Sequence, residues 1–550
     1  MGESMSFTLL ESLFIGFLYY LAYCEISLPG PWGAGIQDAA TIGLFLGLFY
    51  GDMAQGLILG ASIGMLYIAN VAVGANLPSD SVLAACIAIP IALKADLPVD
   101  TAVALAVPFS LLGIFVDNGR RLVNGHWNRS AMKHVDKKQY NLLWIDGILG
   151  PSVVNFAFRC IPVAALLFLF GGAAGDVVSQ LPAWLNSALS LIGSMLPGLG
   201  LMLCVIFMGK KELLPYFFVG YYILYFTGVN YIFVCLIGVL AALLHTQLSA
   251  WRFEDDDDDD DDEDDEDEEE LEVESPYGPG HIFQSRLQLM WWCIKFLAYF
   301  RMSQCIEYFY GTGIGLALKK PMAKVYDVNS DAYQTAMKRE LEPFITNPTW
   351  GLSLNTASLA MEEDIAKNGD PDGTKGEAIT TLKTSLMGPL AGLGDGIEGG
   401  IVMPLMKSIS YPLALQGNPL GAWPYTLWFA WMLIPGFISA IIGYESGRAG
   451  LLKLMQSGTL KKVLYGASVL GIMMMGAMAA GYCKVPLVIT WETISGTTDL
   501  VAILNSLIPG ILPLAYLMFA YVSLNKGVKF ITLIGITCVF GVVMGLLGFC

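Results

Sequence analysis

The chain alternates apolar segments with short polar breaks along almost its whole length, and a single run of acidic residues divides the series in two. The first set runs near 8–23, 39–50, 55–75, 81–93, 101–116, 142–171, 187–208 and 214–246. The second runs near 286–318, 377–393, 400–415, 421–443, 462–481, 498–522 and 529–549. A full bilayer span needs about 20 apolar residues. Several of these segments are shorter and carry Gly, Pro or Asp, so half-helices or re-entrant hairpins are expected there. Only 14% of the 550 residues are charged and mean hydropathy is +0.58, where a soluble domain carries about 25% charged residues. That excludes a cytosolic enzyme, a nucleic-acid binder and a secreted disulfide scaffold. The expected fold class is an all-α polytopic membrane protein.

The net charge of −18 comes from one place. Nineteen acidic residues and no basic one lie between Glu254 and Glu274, and without them 30 basic residues face 29 acidic ones. Like charges repel and bury nothing. Residues 251–281 are therefore expected to form a flexible, solvated linker between a membrane domain at 1–250 and another at 282–550. Such a tether keeps its two ends at high effective concentration.

Basic residues orient the halves. Arg120, Arg121, Arg129, Lys133, Lys137 and Lys138 within 117–139 read as a cytoplasmic loop, as do Lys295, Arg301, Lys319, Lys320, Lys324, Lys338 and Arg339 after the linker. The N-terminus lacks a basic region, so no cleavable signal peptide is expected. With the linker joining two cytoplasmic ends, each half crosses an odd number of times in opposite senses, the geometry of an inverted pair. "SMLPGLGLML" (194–203) and "SLIPGILPLA" (506–515) are weakly alike.

Two broken segments hold ionisable groups. "FYGDMAQGLILGASIGM" (49–65), followed by "GANLPSDS" (74–81), carries Asp52, Gln55, Asn76 and Asp80; "SLMGPLAGLGDGIEGGIVMPL" (385–405) carries Asp395 and Glu398. A carboxylate at membrane depth normally faces a wet cavity or a partner, although Asp52 and Asp395 could equally be helix N-caps. Glu398 lies three residues past Asp395, on the same helical face. In "ITNPTWGLSLNTASLAMEEDIAKNGDPDG" (345–373), Thr346, Asn347, Asn355, Glu362 and Glu363 are hydrogen-bonding groups of the kind a hydroxyl-rich ligand needs. The bland alternative is a surface helix and loop. Glu25, in "YCEISLP", ends the first apolar run, and Trp32 or Trp350 could stack on a sugar ring or anchor at the interface. The ten cysteines form no CxxC and the four histidines are dispersed, so no metal or cofactor is expected. No GxxxxGK[ST] motif is present, which argues against ATP hydrolysis by this chain.

"SLMGPLAGLGD" (385–395), with "LAMEED" (359–364), "GEAITTLK" (376–383) and "GYESGRAGLLKLMQSGTLKKVLYGASVLGIMMMGAM" (443–478), resembles the IID component of the mannose–fructose–sorbose family of the bacterial phosphotransferase system. "GDMAQGLILGASIGM", "GANLPSDS" and "LPYFFVGYYILYFTGVN" (214–230) resemble its IIC component. The resemblance covers most of 6–246 and nearly all of 283–550. It implies a sugar permease of the bacterial inner membrane, an IIC–IID fusion that assembles as a homotrimer. It also implies cytoplasmic IIA and IIB partners that carry phosphate on His and phosphorylate the sugar, so the phosphoryl-transfer residues lie on other chains and none is expected here. Three positions depart from the family's pattern: Gly64 stands where a Glu is common, and Gly399 and Met403 where an aromatic and a basic residue are common. These departures point to a sugar, amino sugar or sugar conjugate other than mannose or glucose. A proton-coupled sugar symporter and a transport-inactive scaffold or receptor remain as alternatives.

Overall fold

The structure, a computed structural model, describes residues 6–24, 35–68, 79–179, 182–208, 211–229, 231–248, 276–456, 458–493 and 496–549. The first half comprises α1 (Leu9–Ala22), α2 (Ala39–Tyr50), α3 (Met53–Leu66), α4 (Ser81–Ala95), α5 (Val99–Asp136), α6 (Gly150–Ser179), α7 (Ala183–Met208), α8 (Leu214–Thr227) and α9 (Tyr231–Leu248). The second comprises α10 (Arg286–Tyr299), α11 (Gly311–Met322), α12 (Asp331–Glu340), α13 (Pro348–Asn368), α14 (Thr374–Ile397), α15 (Met403–Ala414), α16 (Pro424–Gln456) and α17 (Gly458–Tyr482). It ends with α18 (Leu500–Leu507), α19 (Ile511–Asn525) and α20 (Phe530–Leu546). A short antiparallel ribbon, β1 (Thr490–Thr493) with β2 (Gly496–Asp499), is a small exception to the helical fold.

Among the described residues, four helical stretches are long and apolar enough to cross a membrane: Val99–Asp136, Tyr140–Gly171, Pro424–Glu445 and Tyr465–Tyr482. The α18–α19 pair, bent by 76°, is a fifth if taken as one broken span. The short helices α2 and α3 fold back on each other through Gly51 at φ 85°. At about 1.5 Å per residue each reaches roughly 20 Å, well short of the hydrocarbon thickness. This hairpin is of the re-entrant kind expected from its Gly-Asp break. The second Gly-Asp segment behaves otherwise. Here α14 runs on through a π turn at Glu398–Val402 into α15, a locally widened but continuous helix in place of the expected half-helices or re-entrant hairpin. The two "PG" segments also differ: 194–203 lies inside α7, whereas 506–515 contains the α18–α19 bend, with Gly510 in the left-handed region.

The cores do not respect the acidic divide. One joins α1–α8 residues such as Ile63, Leu199 and Phe217 to Tyr411, Tyr465, Met475 and Leu517. The other joins Ala131, Val135 and Tyr140 to residues 282–444. Helix α17 packs on α7, α8 and α9, and α7 also receives α19 and α20. At the α8–α17 seam, a Cβ on Gly476 would fall 2.0 Å from the Phe217 carbonyl oxygen, and one on Gly220 would fall 1.9 Å from that of Met473. The backbones are in contact, so even one methyl must separate the helices. Gly476→Ala is expected to destabilise the chain by about 1–3 kcal/mol, read as a lower thermal midpoint in detergent. An unchanged midpoint would show that the two halves are not locked at this seam.

Candidate functional site

The π turn at Glu398–Val402 places one extra residue in the helical ladder, a feature that recurs at functional sites. Asp395 and Glu398 come from the turns just before and at this bulge, spaced three apart on one face. Opposite them is the start of α13. Asn347 is its N-cap, with Pro348 at the first helical position. The Asn347 Oδ1 accepts from the amides of Thr349 (2.9 Å) and Trp350 (3.4 Å). That fixes the amide so that Nδ2 donates to Glu398 Oε2 at 3.0 Å and to Asp395 Oδ1 at 3.3 Å. Asn347 and Glu398 are each 3% exposed.

Thr346 Oγ1 and Trp350 Nε1 have no partner among the described residues, and the Glu398 Oε1 and Thr349 Oγ1 atoms face each other without completing a hydrogen bond of good geometry. Each buried, unsatisfied polar atom costs about 1–3 kcal/mol, and native structures hold few of them. A carboxylate oxygen, two hydroxyls and an indole N–H together form a mixed donor and acceptor set. A ligand rich in hydroxyls, each able to donate and accept, would satisfy that set. Trp350 belongs to the buried core at 2% exposure.

The other candidates from the sequence lie elsewhere. Glu362, fully buried, accepts both arms of Arg339 (2.8 and 3.0 Å) and the Tyr326 hydroxyl (2.8 Å). Glu363 accepts from the Ile282 amide, Tyr444 and Lys367, and pairs with His281. It thus pins the chain shortly after the acidic run. Asn355 donates to the Gly351 carbonyl within α13. Asp52 is exposed and caps α3 through the Gln55 amide at 2.9 Å, and Gln55 is half-buried beside it. Glu25, Trp32 and Asn76 lie outside the described residues.

Burial alone would raise the Glu363 carboxyl, but the Ile282 amide, Lys367 and Tyr444 outweigh it and hold the group below the usual range. A carboxyl depressed in the fold adds stability above its unfolded value, about 4.3, and loses it as pH falls through the folded value. Glu363→Gln is therefore expected to melt below the wild type at neutral pH and to converge with it as the pH drops below about 4. A midpoint difference that stayed constant from neutral to acid pH would exclude this ionic role.

Asp80 enters a network that sequence reasoning did not identify. It caps α4 through the Leu83 amide and accepts from Tyr19 (2.7 Å) and Tyr23 (3.1 Å). Arg159 of α6 joins it at 3.4 Å to Asp117 of α5 at 3.0 Å. Arg120 and Arg121 also contact Asp117, at 3.0 and 2.6 Å. These two arginines were expected in a solvated loop. They lie instead within the continuous helix α5, 5% and 7% exposed. Arg120 then donates to Gln304 of the second half at 3.2 Å, and Gln304 donates to the Tyr310 hydroxyl at 3.3 Å. The signal available in the sequence was Arg159 itself, the one basic residue within the 142–171 apolar run.

The departure at Gly64 also has a structural counterpart. A Cβ there would fall 2.4 Å from the Tyr411 hydroxyl oxygen. That hydroxyl donates to Asp38 at 2.9 Å, and Lys407 approaches the same carboxylate at 3.7 Å. Tyr411 of the second half thus fills the space that a side chain at 64 would need.

Residues 282–550 match the family described as the PTS system mannose/fructose/sorbose family IID component. Residues 9–244 match the PTS system sorbose-specific IIC component. The mannose-specific EIID component of Escherichia coli K12 is 32% identical over 222 residues, 39% of this chain and 77% of that protein. The sorbose-specific EIID component of Lacticaseibacillus casei is 35% identical over 234 residues, 41% of this chain and 79% of that protein. For the first half, the mannose-specific EIIC component of E. coli K12 is 26% identical over 206 residues, 37% and 77% respectively.

Proposed function

The chain belongs to the mannose/fructose/sorbose family of the phosphotransferase system and joins that family's IIC and IID components in one polypeptide, and on that footing we propose how it works. It moves a sugar or sugar derivative across the bacterial inner membrane and presents it to a cytoplasmic IIB protein, which phosphorylates it with phosphate relayed through IIA. The IIC part corresponds to 1–250 and the IID part to 282–550, with 251–281 as the tether. The two parts stand in inverted orientation, and three copies of the chain assemble.

The observation that carries this reading is the Asn347–Asp395–Glu398 bridge with its unpartnered buried polar atoms. Two carboxylates and an amide offer the directional hydrogen bonds that distinguish one sugar hydroxyl pattern from another. Thr346 completes this group. Asp80 acts from the other half through the arginine network. Glu362, Glu363, Asp52 and Gln55 act as structural groups. The substrate differs from mannose, because Tyr411 occupies the space beside Gly64 that the mannose-type Glu would take.

Uptake of labelled sugars into vesicles containing the chain tests the proposal, with and without phosphoenolpyruvate, the general phosphotransferase proteins, IIA and IIB. Sugar phosphate is expected inside only with the complete relay. Accumulation of free sugar that collapses with the proton gradient would instead establish a symporter. No movement of any sugar would establish a scaffold.

A further inference from the structure

We propose that the turn at 303–309 is a latch that holds α5 in the arrangement seen here and releases it in each transport cycle, a role that rests on the transport reading above. Helix α5 belongs to both cores, with Val107 in the first and Ala131 in the second. Between these two, its buried residues are Ser110, Asp117, Arg120, Arg121, Asn124, Asn128 and two glycines, with no apolar side chain among them. Arg120, Asn124 and Asn128 are spaced by four and share one face. The turn between α10 and α11 closes over that face. Arg120 donates to the Gln304 side chain and the Asn124 amide to the Gln304 carbonyl, both at 3.2 Å. The Asn128 amide donates to the Cys305 sulfur, and Arg129 pairs with Glu307 at 3.0 Å.

This seam is built to open. Hydrogen bonds hold it, and water replaces them at little net cost, whereas parting an apolar seam would expose hydrophobic surface. The closed state is also incompletely satisfied. Asn124 Oδ1 and Asn128 Oδ1, on two buried side chains, find no hydrogen-bond partner among the described residues. The turn itself is strained, because Ser303 (φ 55°) and Phe309 (φ 50°) both sit in the left-handed region that crowds a Cβ. Residues held in this way gather at switch segments. The turn also reaches the sugar bridge. The Tyr310 amide donates to the Phe344 carbonyl at 3.0 Å, and the Phe344 amide to the Tyr308 carbonyl at 3.3 Å. Phe344 stands three residues before Asn347, on the segment that leads into the α13 cap. Movement of the turn off α5 therefore carries to the Asn347–Asp395–Glu398 bridge.

Locking the latch tests this. In the full chain in vesicles, Arg129→Cys with Glu307→Cys, both exposed positions, is joined by a short bifunctional methanethiosulfonate. Asn128→Cys oxidised onto the native Cys305 is a second lock on the same turn. Peptide mapping reads the linkage, and the single variants treated alike control for the other native cysteines. The linked chain is expected to bind labelled sugar with unchanged affinity while its uptake falls at least tenfold. A thiol reductant should cut the link and restore uptake. Undiminished uptake by fully linked chain would overturn the proposal and make the turn a static brace. Loss of sugar affinity along with uptake would also overturn it, since the link would then have deformed the site. Failure of both pairs to link would deny the contact itself. A wild-type chain that moves no sugar removes instead the transport reading on which the latch rests.

Discussion

Arg159→Met is expected to destabilise the folded chain by about 3–5 kcal/mol, the cost of removing one partner from a buried charge pair. The side chain is 1% exposed, and its donors are all directed. Nε donates to Asn155 at 2.8 Å, Nη1 to Tyr19 at 2.7 Å and Asp80 at 3.4 Å, and Nη2 to Asp117 at 3.0 Å. The guanidinium carbon also lies 3.8 Å from the centre of the Tyr23 ring. Methionine fills much of the same volume, so the loss is electrostatic and not a cavity. Asp80 would be left with two tyrosine hydroxyls and one amide, in a region of low dielectric. Arg159→Lys keeps the charge but reaches one carboxylate where arginine bridges two, and should fall between. The decisive comparison is Asp80→Asn in the Arg159→Met background. If the network is the cause, removing the stranded charge recovers part of the loss, and the double variant melts above the single one. Additive losses, or a wild-type midpoint in Arg159→Met, would rule out the network as a determinant of stability.

What could be read from the sequence follows from what hydropathy measures. Length and apolarity located most of the helices but not α12 and α13, and the short segments at 39–50 and 55–75, read as half-helices or re-entrant hairpins, contain the α2–α3 hairpin. The same rule read the 385–405 segment as half-helices or a re-entrant hairpin, yet "GDGIEGG" forms a π turn inside a continuing helix, because glycine permits either outcome and only packing decides. Composition could not tell a carboxylate directed at a ligand from one directed at a cation. Glu362 and Glu398 are both buried acids in polar surroundings. Arg339, 23 residues before Glu362, is what separates them. Arg120 and Arg121 were taken for a loop because charge density falls on neighbouring residues alike, whereas α5 turns some inward to Asp117 and leaves others outside. Asn347 was legible as a polar residue before a proline. Its bridge to residues about fifty positions later was not, since that contact depends on how α13 and α14 pack.

Glu398→Gln and Glu362→Gln are expected to fail in opposite ways. Glutamine keeps the size of glutamate and can still accept from Asn347 Nδ2, so Glu398→Gln should leave the thermal midpoint nearly unchanged. It removes the charge from the buried Glu398 Oε1, which completes no hydrogen bond of good geometry among the described residues. A hydrogen bond to a charged group contributes about 1.5–3 kcal/mol, so sugar affinity should weaken roughly ten- to 150-fold. Relay-dependent uptake should fall with it. Glu362→Gln instead leaves Arg339 facing a neutral amide in a buried position, breaking a two-pronged ion pair. That variant should lose about 3–5 kcal/mol of stability, while the fraction that remains folded binds sugar with wild-type affinity. Titration of the labelled sugar that supports uptake, normalised to folded protein, together with thermal midpoints for both variants, decides the matter. If Glu362→Gln weakened binding without lowering the midpoint, the ligand site would include the α12–α13 face. If Glu398→Gln lowered the midpoint and left affinity intact, the Asn347 bridge would be a structural clamp, and the sugar would have to be sought elsewhere in the chain.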